Sequence, residues 1–105
     1  MMDGEIPSWL QLLDDEDIQF IKRLVLASGS LKTLAEEYGI TYPTLRIRLD
    51  RLIEKVKAAD NPKIDDPFQK RLQLMMTDGV INSSAAKKLM KAYKQSLKKL
   101  SDKNE

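Results

Sequence analysis

The feature that most constrains the fold is a pair of helix-period patterns that meet at one glycine. In "SLKTLAEEYG", apolar residues recur from Leu31 to Tyr38 at the i, i+3, i+4 and i+7 positions, the spacing of a single helical face. In "ITYPTLRIRLDRLIEKV", a second such face begins at Leu45. Gly39 lies between them and can adopt the left-handed conformation that ends a helix. Two helices joined by a short glycine turn are typical of a helix-turn-helix.

Hydroxyl side chains and a proline mark where these two helices begin. Ser30 is a predicted N-cap for the first helix and Thr41 for the second. Pro43 falls in the first turn of the second helix, where a missing N–H leaves no hydrogen bond unmade. The second helix is expected to span residues 41–57.

Further helices are expected on both sides of this pair. Upstream, "DDED" at residues 14–17 suits the N-terminus of a helix that ends near Gly29. Its predicted apolar side comprises Ile18, Ile21, Leu24, Val25 and Leu26. Before it, "IPSWLQLL" predicts a short segment in which Trp9 covers the core. Downstream, Asp66 caps "PFQKRLQLMMTDG", and Ser83 or Ser84 begins a last helix that runs to about residue 100.

No segment alternates between apolar and polar residues as a β-strand does. The predicted fold class is therefore all-α: a tri-helical helix-turn-helix core without a wing, followed by a C-terminal helical hairpin. The predicted division places the helix-turn-helix domain and its short N-terminal lid in residues 1–57, a linker in 58–65 and the hairpin in 66–105.

The composition argues against catalysis and metal binding. The chain has no cysteine and no histidine, so disulfides, thiolate ligands and the commonest general base are missing. The glycines are isolated and form no phosphate-binding loop. We therefore expect a protein that is not an enzyme, with no catalytic residues, no cofactor and no metal. We also expect a cytoplasmic location, because the first residues lack a signal-peptide pattern and no apolar run reaches the roughly 20 residues of a membrane span.

Charge is distributed unevenly along the chain. The net charge of +2 divides into −6 for residues 1–20, +3 for residues 21–60 and +5 for residues 61–105. A basic body behind an acidic head favours a polyanionic partner.

Ile47 is the residue that points to a particular partner. A helical wheel of residues 41–57 places it opposite Leu45 and Leu49, between two arginines. In a helix-turn-helix, the N-terminal part of the second helix enters the DNA major groove, where an apolar side chain can contact a thymine methyl group. Phosphates and base edges would be contacted by basic and hydroxyl side chains. The predicted DNA-binding residues are Lys32, Thr33, Thr41, Tyr42, Pro43, Thr44, Arg46, Ile47, Arg48 and Arg51.

Alternative interpretations of these residues remain open. Ile47 could pack beneath the C-terminal hairpin or in a dimer interface, and Arg46 could simply pair with Asp50 four residues later. Arg48 has no acidic residue at helical spacing in its own helix.

The last helix also has several interpretations. It carries Lys87, Lys88, Lys91, Lys94, Lys98 and Lys99 beside an apolar stripe. The lysines could form an ordinary solvated face or contact phosphates, and the stripe could pack on the core or form a dimer. A membrane-surface helix is a further alternative.

The sequence "GSLKTLAEEYGITYPTLRIRLDRLIEKV" resembles the helix-turn-helix core of a bacterial family of small DNA-binding proteins catalogued as a domain of unknown function. The family's signature reads G-N-x-K-E … G-I-S-Y-P-T-V-R-x-R-L-D. Many members begin with a cysteine-rich, zinc-ribbon-like segment; this chain has no cysteine, so the resemblance implies no metal role for it. What it does imply is transcriptional control. The matching residues are Gly29, Lys32, Gly39, Ile40, Tyr42, Pro43, Thr44, Arg46, Arg48, Leu49 and Asp50.

Two functions follow from these patterns. The first is a transcriptional regulator that binds double-stranded DNA, as a homodimer formed through the C-terminal hairpin with Phe68, Leu72, Met75, Met76, Val80 and Ile81. The second is a protein-protein interaction adaptor that uses the same fold without DNA and docks Ile47 into its partner. Steep salt dependence of binding would distinguish the first from the second.

Overall fold

The helices follow one another closely along the chain. A computed structural model describes residues 6–103, with the side chains of residues 6–101. Within that range the backbone forms six α-helices and no β-strand, so the all-α prediction is confirmed. The helices are α1 (Ser8–Gln11), α2 (Asp15–Leu26), α3 (Leu31–Tyr38), α4 (Tyr42–Ala59), α5 (Pro67–Thr77) and α6 (Ser83–Lys103).

Polar side chains cap the helices where the sequence predicts them. Ser30 accepts a hydrogen bond from the backbone N–H of Thr33 at 3.1 Å, and Asp66 accepts one from the N–H of Phe68 at 2.9 Å. Such caps satisfy N–H groups that have no partner within the helix. α6 begins at Ser83, as the sequence predicts, and its cap is the preceding Asn82, which accepts from the N–H of Ala85 at 2.8 Å.

The main core lies between α2, α3 and α4. Phe20, Leu34 and Leu45 are almost completely buried there, one from each helix. Trp9 and Leu10 of α1 pack against this cluster, as expected for a segment that covers the core. Burying a large apolar side chain contributes about 1.5–3 kcal/mol, so these three residues account for much of what holds the tri-helical unit together.

The predicted apolar side of α2 is wrong at its C-terminal end. Val25 and Leu26 are 70% and 74% exposed, and Ile18 is also exposed. Phe20, which lay outside the predicted face, is instead 1% exposed. The helix is turned so that Phe20, Ile21 and Leu24 meet the core, because an aromatic ring buries more surface than the aliphatic side chains it displaces.

The C-terminal hairpin joins the tri-helical unit through α5. Two side chains of α5 donate to backbone carbonyls of that unit: Lys70 Nζ donates to the Ala59 carbonyl at 2.9 Å, and the Arg71 guanidinium donates to the Leu12 carbonyl at 3.2 Å. Leu72, one of the predicted dimer residues, and Leu74 are buried on α5. α5 therefore packs against α4, and α6 packs against α5.

A stacked aromatic pair anchors α6 to the start of α5. The rings of Phe68 and Tyr93 lie 4.2 Å apart at an interplanar angle of 20°, and the Tyr93 hydroxyl donates to Asp66 at 3.2 Å. That hydrogen bond raises the pKa of Tyr93, because the ionised phenol could not donate to a carboxylate. Beyond residue 93, every described side chain of α6 is exposed.

A buried lysine connects three elements. Lys55 of α4 is 3% exposed, and its ammonium group donates to the carboxylates of Asp17 and Asp78, the latter at 2.7 Å. Asp14 lies 3.6 Å away. Burial lowers the pKa of Lys55, but the hydrogen bonds to Asp17 and Asp78 outweigh burial and raise it. Lys55 thus ties the N-terminus of α2 and the C-terminus of α5 to α4.

The acidic run at residues 14–17 has two roles: Asp14 and Asp17 pair with Lys55, and they also cap the start of α2. Asp14 accepts from the N–H of Asp17 at 2.9 Å, and the Asp17 carboxylate accepts from the N–H of Asp14 at 3.2 Å. This reciprocal pair is a capping box. The backbone hydrogen bond from Asp17 lowers the pKa of Asp14, although partial burial opposes it. The predicted role of "DDED" as a helix cap is confirmed.

Several boundaries differ slightly from the expected ones. α4 ends at Ala59 rather than at residue 57, and α6 extends to Lys103 rather than to about residue 100. Residues 60–66 connect α4 to α5 through turns, so no wing follows α4 in the described chain. The division into units 1–57 and 66–105 stays a prediction. None of the helices in residues 6–103 has the length and apolar character needed to cross a membrane.

Candidate nucleic-acid interface

The turn between α3 and α4 has the backbone geometry that the sequence predicts. Gly39 adopts the left-handed conformation, with φ of 67° and ψ of 33°. The N–H of Gly39 donates to the carbonyl of Glu36 and that of Ile40 to the carbonyl of Ala35, each at 3.1 Å. This pair of bonds is a Schellman motif. Ile40 packs against the core immediately after it, which fixes the direction in which α4 leaves the turn.

Core residues on α4 decide which side of the helix faces solvent. Leu45 and Leu52 are buried, and Leu49 packs against the same cluster. With 3.6 residues per turn, Thr44, Ile47 and Arg51 then lie on the opposite side at the i, i+3 and i+7 positions. All three are exposed, and Ile47 is 63% exposed. Its outward position is confirmed, and the alternative that it packs beneath the hairpin of the same chain is wrong.

The first turn of α4 presents hydroxyl groups beside this row. Thr41 accepts from the N–H of Thr44 at 3.4 Å and donates its own proton to the Thr44 hydroxyl at 2.9 Å. The Thr44 proton is not used in this pair and can therefore point outward to an acceptor. α3 begins in the same way, with the Ser30 hydroxyl donating to that of Thr33 at 3.0 Å. Both helix N-termini thus carry an oriented threonine.

Arg46 is exposed on α4 one turn after Tyr42, to one side of the row formed by Thr44, Ile47 and Arg51. Its guanidinium is 3.3 Å from the Asp50 carboxylate, and both side chains are at least half exposed. The intrahelical pairing that the sequence left open is therefore present. An exposed pair of this kind contributes about 0–1 kcal/mol, so little free energy opposes the exchange of Asp50 for another anion.

Arg48 is held much more firmly than Arg46. It pairs with Glu16 of α2 at 3.3 Å. Its guanidinium also lies 5.0 Å from the centre of the Phe20 ring and 4.9 Å from that of Tyr38, within the range of a cation–π interaction. Arg48 has no acidic residue at helical spacing within α4, and its partner comes instead from another helix. Arg48 thus links α4 to α2 and α3 and sets the angle of the candidate interface.

The remaining predicted residues surround the N-terminal half of α4 and the start of α3. Lys32 and Thr33 are exposed in the first turn of α3, and Tyr42 and Pro43 are exposed in that of α4. Within residues 6–101, neither Lys32 nor Arg51 takes part in an ion pair. The fold therefore exposes nine of the ten predicted residues and leaves Arg48 partly covered; their contact with DNA stays a prediction.

Acidic residues limit how far along α4 a polyanion could bind. Asp50 and Glu54 are exposed on the outer side of the helix, beyond its second turn. Residues 13–59 as a whole contain eight acidic and eight basic residues. A net charge of zero gives this region no general attraction for phosphate, so any interface here depends on shape and local contacts and ends near Arg51, which lies between the two acidic residues.

Comparison with known proteins agrees with this geometry. No curated protein and no solved structure is similar enough to the chain to count as a match. Residues 13–59 match a family model described as Domain of unknown function (DUF2089)-HTH. The matched segment begins at the buried Leu13 and ends at the buried Ala59. It thus contains α2, α3 and α4 in full, and these helices form a helix-turn-helix domain.

Proposed function

We propose that this protein binds double-stranded DNA and regulates transcription, with the N-terminal half of α4 in the major groove. The observation that carries the proposal is the exposed row of Thr44, Ile47 and Arg51 on the helix that follows a capped, glycine-terminated α3. A hydroxyl, an aliphatic group and a guanidinium can contact base edges and thymine methyl groups. No step of catalysis is part of this proposal.

The two arginines beside this row have different proposed roles. Arg46 can leave Asp50 at little cost and bind a phosphate, whose charge-assisted hydrogen bonds are stronger than an exposed side-chain pair. Arg48 is a positioning residue, because Glu16 and two aromatic rings hold it. Lys32 and Thr33, at the start of α3, would contact the backbone beside the groove.

The proposal is tested with a random pool of DNA duplexes from which the protein selects its preferred sequences. Ile47→Ala should lose the selected preference, since the methyl contacts that read the sequence are removed. Leu26→Ala is the matched control, because Leu26 is also an exposed aliphatic residue but lies on α2. Equal selection by both variants and the unmodified chain would contradict the proposal.

Ile47 also supports a second candidate function. An isoleucine that is 63% exposed, on a face without excess positive charge, suits a protein-protein interaction adaptor. In that case Ile47→Asp would abolish a protein complex, and selection from the duplex pool would enrich nothing.

We further propose that two copies associate through the C-terminal hairpin. Val80, Leu89, Leu97 and Leu100 are all exposed, and a dimer could read two half-sites one DNA turn apart. Leu72 is buried inside the hairpin of a single copy, so its substitution would disturb folding rather than association. Sedimentation of Leu97→Asp should show a monomer, whereas Leu26→Asp should sediment as the unmodified chain does. A monomer for the unmodified chain would contradict this part of the proposal.

A further inference from the structure

The lysines of α6 are arranged in a row. Lys87, Lys91, Lys94 and Lys98 follow one another at i, i+4, i+7 and i+11, which places them within about 60° on a helix of 3.6 residues per turn. The row is about 16 Å long at a rise of 1.5 Å per residue, and all four side chains are exposed. They border one shallow groove along the helix together with Met90 and Gln95.

The charge of this row is not balanced by neighbouring carboxylates. Residues 83–101 contain six lysines and no acidic residue. Among the side chains of residues 6–101, none of these lysines lies within ion-pair distance of an aspartate or glutamate. Every ion pair in that part of the chain contains a residue of α4. The positive potential of the molecule is therefore concentrated on α6.

The helix-turn-helix lacks the charge that the proposed function requires. Residues 13–59 have a net charge of zero, and both Arg46 and Arg48 have carboxylate partners. Sequence-independent attraction to DNA comes from lysines and arginines that displace counterions from phosphates. Such attraction must then arise outside the matched segment, and the lysine row is the largest unpaired cationic feature in the described chain.

The packing of α6 favours a phosphate backbone over a membrane surface. A membrane-surface helix buries its apolar side among the lipid chains. On α6 that side is partly occupied, because Ala86 is buried and Tyr93 stacks on Phe68 of α5. The lysine row lies on a different side, bordered by Met90 and Gln95, and its charged ends can contact an anion without insertion of the helix.

From these observations we infer that the lysine row of α6 is a second DNA-binding surface, which contacts the phosphate backbone without reading sequence. The inference rests on the proposed DNA-binding function. The row supplies affinity and salt dependence, and the row of Thr44, Ile47 and Arg51 on α4 supplies preference among sequences.

The test measures the affinity of the full chain for a duplex of arbitrary sequence at several salt concentrations. Lys91→Gln/Lys94→Gln removes two charges from the middle of the row, and glutamine keeps the helix propensity of lysine. The negative slope of log affinity against log salt should become less steep by about 1.8, or about 0.9 per lost phosphate contact. Lys22→Gln/Lys63→Gln is the matched control, because it removes two exposed lysines outside the row.

The outcomes separate this inference from the proposed function. Equal salt-dependence slopes for the two double variants would overturn the inference that the lysine row binds DNA, while α4 would remain a candidate DNA-binding helix. A weaker salt dependence in Lys91→Gln/Lys94→Gln, together with unchanged sequence selection by Ile47→Ala, would support phosphate binding by the lysine row and refute the role of α4. Failure of the unmodified chain to bind the duplex at low salt would overturn both. Binding to vesicles rich in anionic lipid, weakened by the row variant while duplex binding stays unchanged, would also overturn the inference.

Discussion

The helix-turn-helix and the last helix use charge in opposite ways. In residues 13–59 eight acids and eight bases cancel, and most of the ion pairs connect parts of the fold, such as Arg48 to α2. In residues 83–101 six lysines stand without an acidic residue. Paired charges orient helices, whereas unpaired charges act at a distance on a partner. In the first region charge therefore serves the arrangement of helices, and in the second it is available to a partner.

The tri-helical unit and the C-terminal hairpin also differ in which side chains they bury. The tri-helical unit buries an aromatic ring, that of Phe20, almost completely, whereas the buried side chains of the hairpin are the aliphatic Leu72, Leu74 and Ala86. Each region contains one stacked aromatic pair, Phe20 with Tyr38 and Phe68 with Tyr93, which allows a direct test.

Loss of the aromatic ring should have the largest effect in the tri-helical core. Phe20→Ala is expected to lower the free energy of unfolding by about 3–5 kcal/mol, because it removes a buried ring and leaves a cavity. Phe68→Ala should cost about 1–2 kcal/mol, since Phe68 is only partly buried. Urea unfolding followed by circular dichroism and by Trp9 fluorescence measures both values.

Trp9 packs against the core near Phe20, so its fluorescence reports on that region. If the hairpin unfolds separately, Phe68→Ala should change the dichroism transition and leave the fluorescence transition in place. Equal losses for the two variants would show that the two regions do not differ in stability as proposed.

Removal of the buried lysine should have the next largest effect. Lys55→Met leaves the carboxylates of Asp14, Asp17 and Asp78 close together without a cation. Breaking a fully buried ion pair costs about 3–5 kcal/mol. Because these carboxylates are partly exposed, we expect the free energy of unfolding to fall by only about 2 kcal/mol. Thermal or urea unfolding at neutral pH measures the loss. The control, Lys57→Met, removes an exposed pair with Glu54 and should cost less than about 0.5 kcal/mol.

The raised pKa of Lys55 predicts that the free energy of unfolding depends on pH in alkaline solution. Because the folded state raises the pKa of Lys55 above 10.5, its contribution to stability is complete below pH 10.5 and is lost as the pH rises through the raised value. The difference in stability between the unmodified chain and Lys55→Met should therefore shrink in strongly alkaline solution. A difference that stays constant would mean that the charge of Lys55 is not what stabilises the contact.

A smaller loss is expected at the turn that defines the helix-turn-helix. Gly39→Ala places a side chain at a φ of +67° with no neighbouring atom within 4 Å, so the cost is conformational and about 1–2 kcal/mol. Gly39→Asn should cost less, because asparagine tolerates this region better than alanine. Chemical denaturation gives both values, and a neutral Gly39→Ala would show that the turn does not need the left-handed conformation.

The smallest predicted effect concerns acid pH. The pKa of Asp14 is lowered below 3.8, chiefly by the hydrogen bond from the N–H of Asp17, so its contribution is present above pH 3.8 and is lost as the pH falls through the lowered value. Asp14→Asn keeps an N-cap side chain but cannot titrate. Unfolding measured from pH 5 downwards should show a shallower decline for this variant, and identical pH profiles would contradict the role of Asp14.

Much of the fold could be predicted because its signals are local. Ser30, Thr41 and Asp66 cap helices through bonds to residues two or three positions away, and Gly39 ends α3 by its own conformational freedom. The exposure of Ile47 followed from helical periodicity alone. Each of these features depends on a few consecutive residues, which the sequence shows directly.

The features that could not be predicted depend on partners distant in the chain. Glu16 lies 32 residues from Arg48 and Asp17 lies 38 residues from Lys55, so neither pair has a spacing that a pattern could show. The one available signal was that Lys55 lies on the side of α4 that carries Leu52 and Ala59.

From local sequence features alone, the helices of the described chain could be placed to within a few residues and no strand was expected. The same features show that α4 keeps an aliphatic residue, Ile47, away from its core side. Capping, propensity and periodicity act within a few residues, and they suffice for this. The buried side of α2 and the ion pair of Arg48 became visible only once the helices were packed together. Both depend on how rings and charges from separate helices meet, because burial and ion pairing are properties of the packed surface rather than of any one segment.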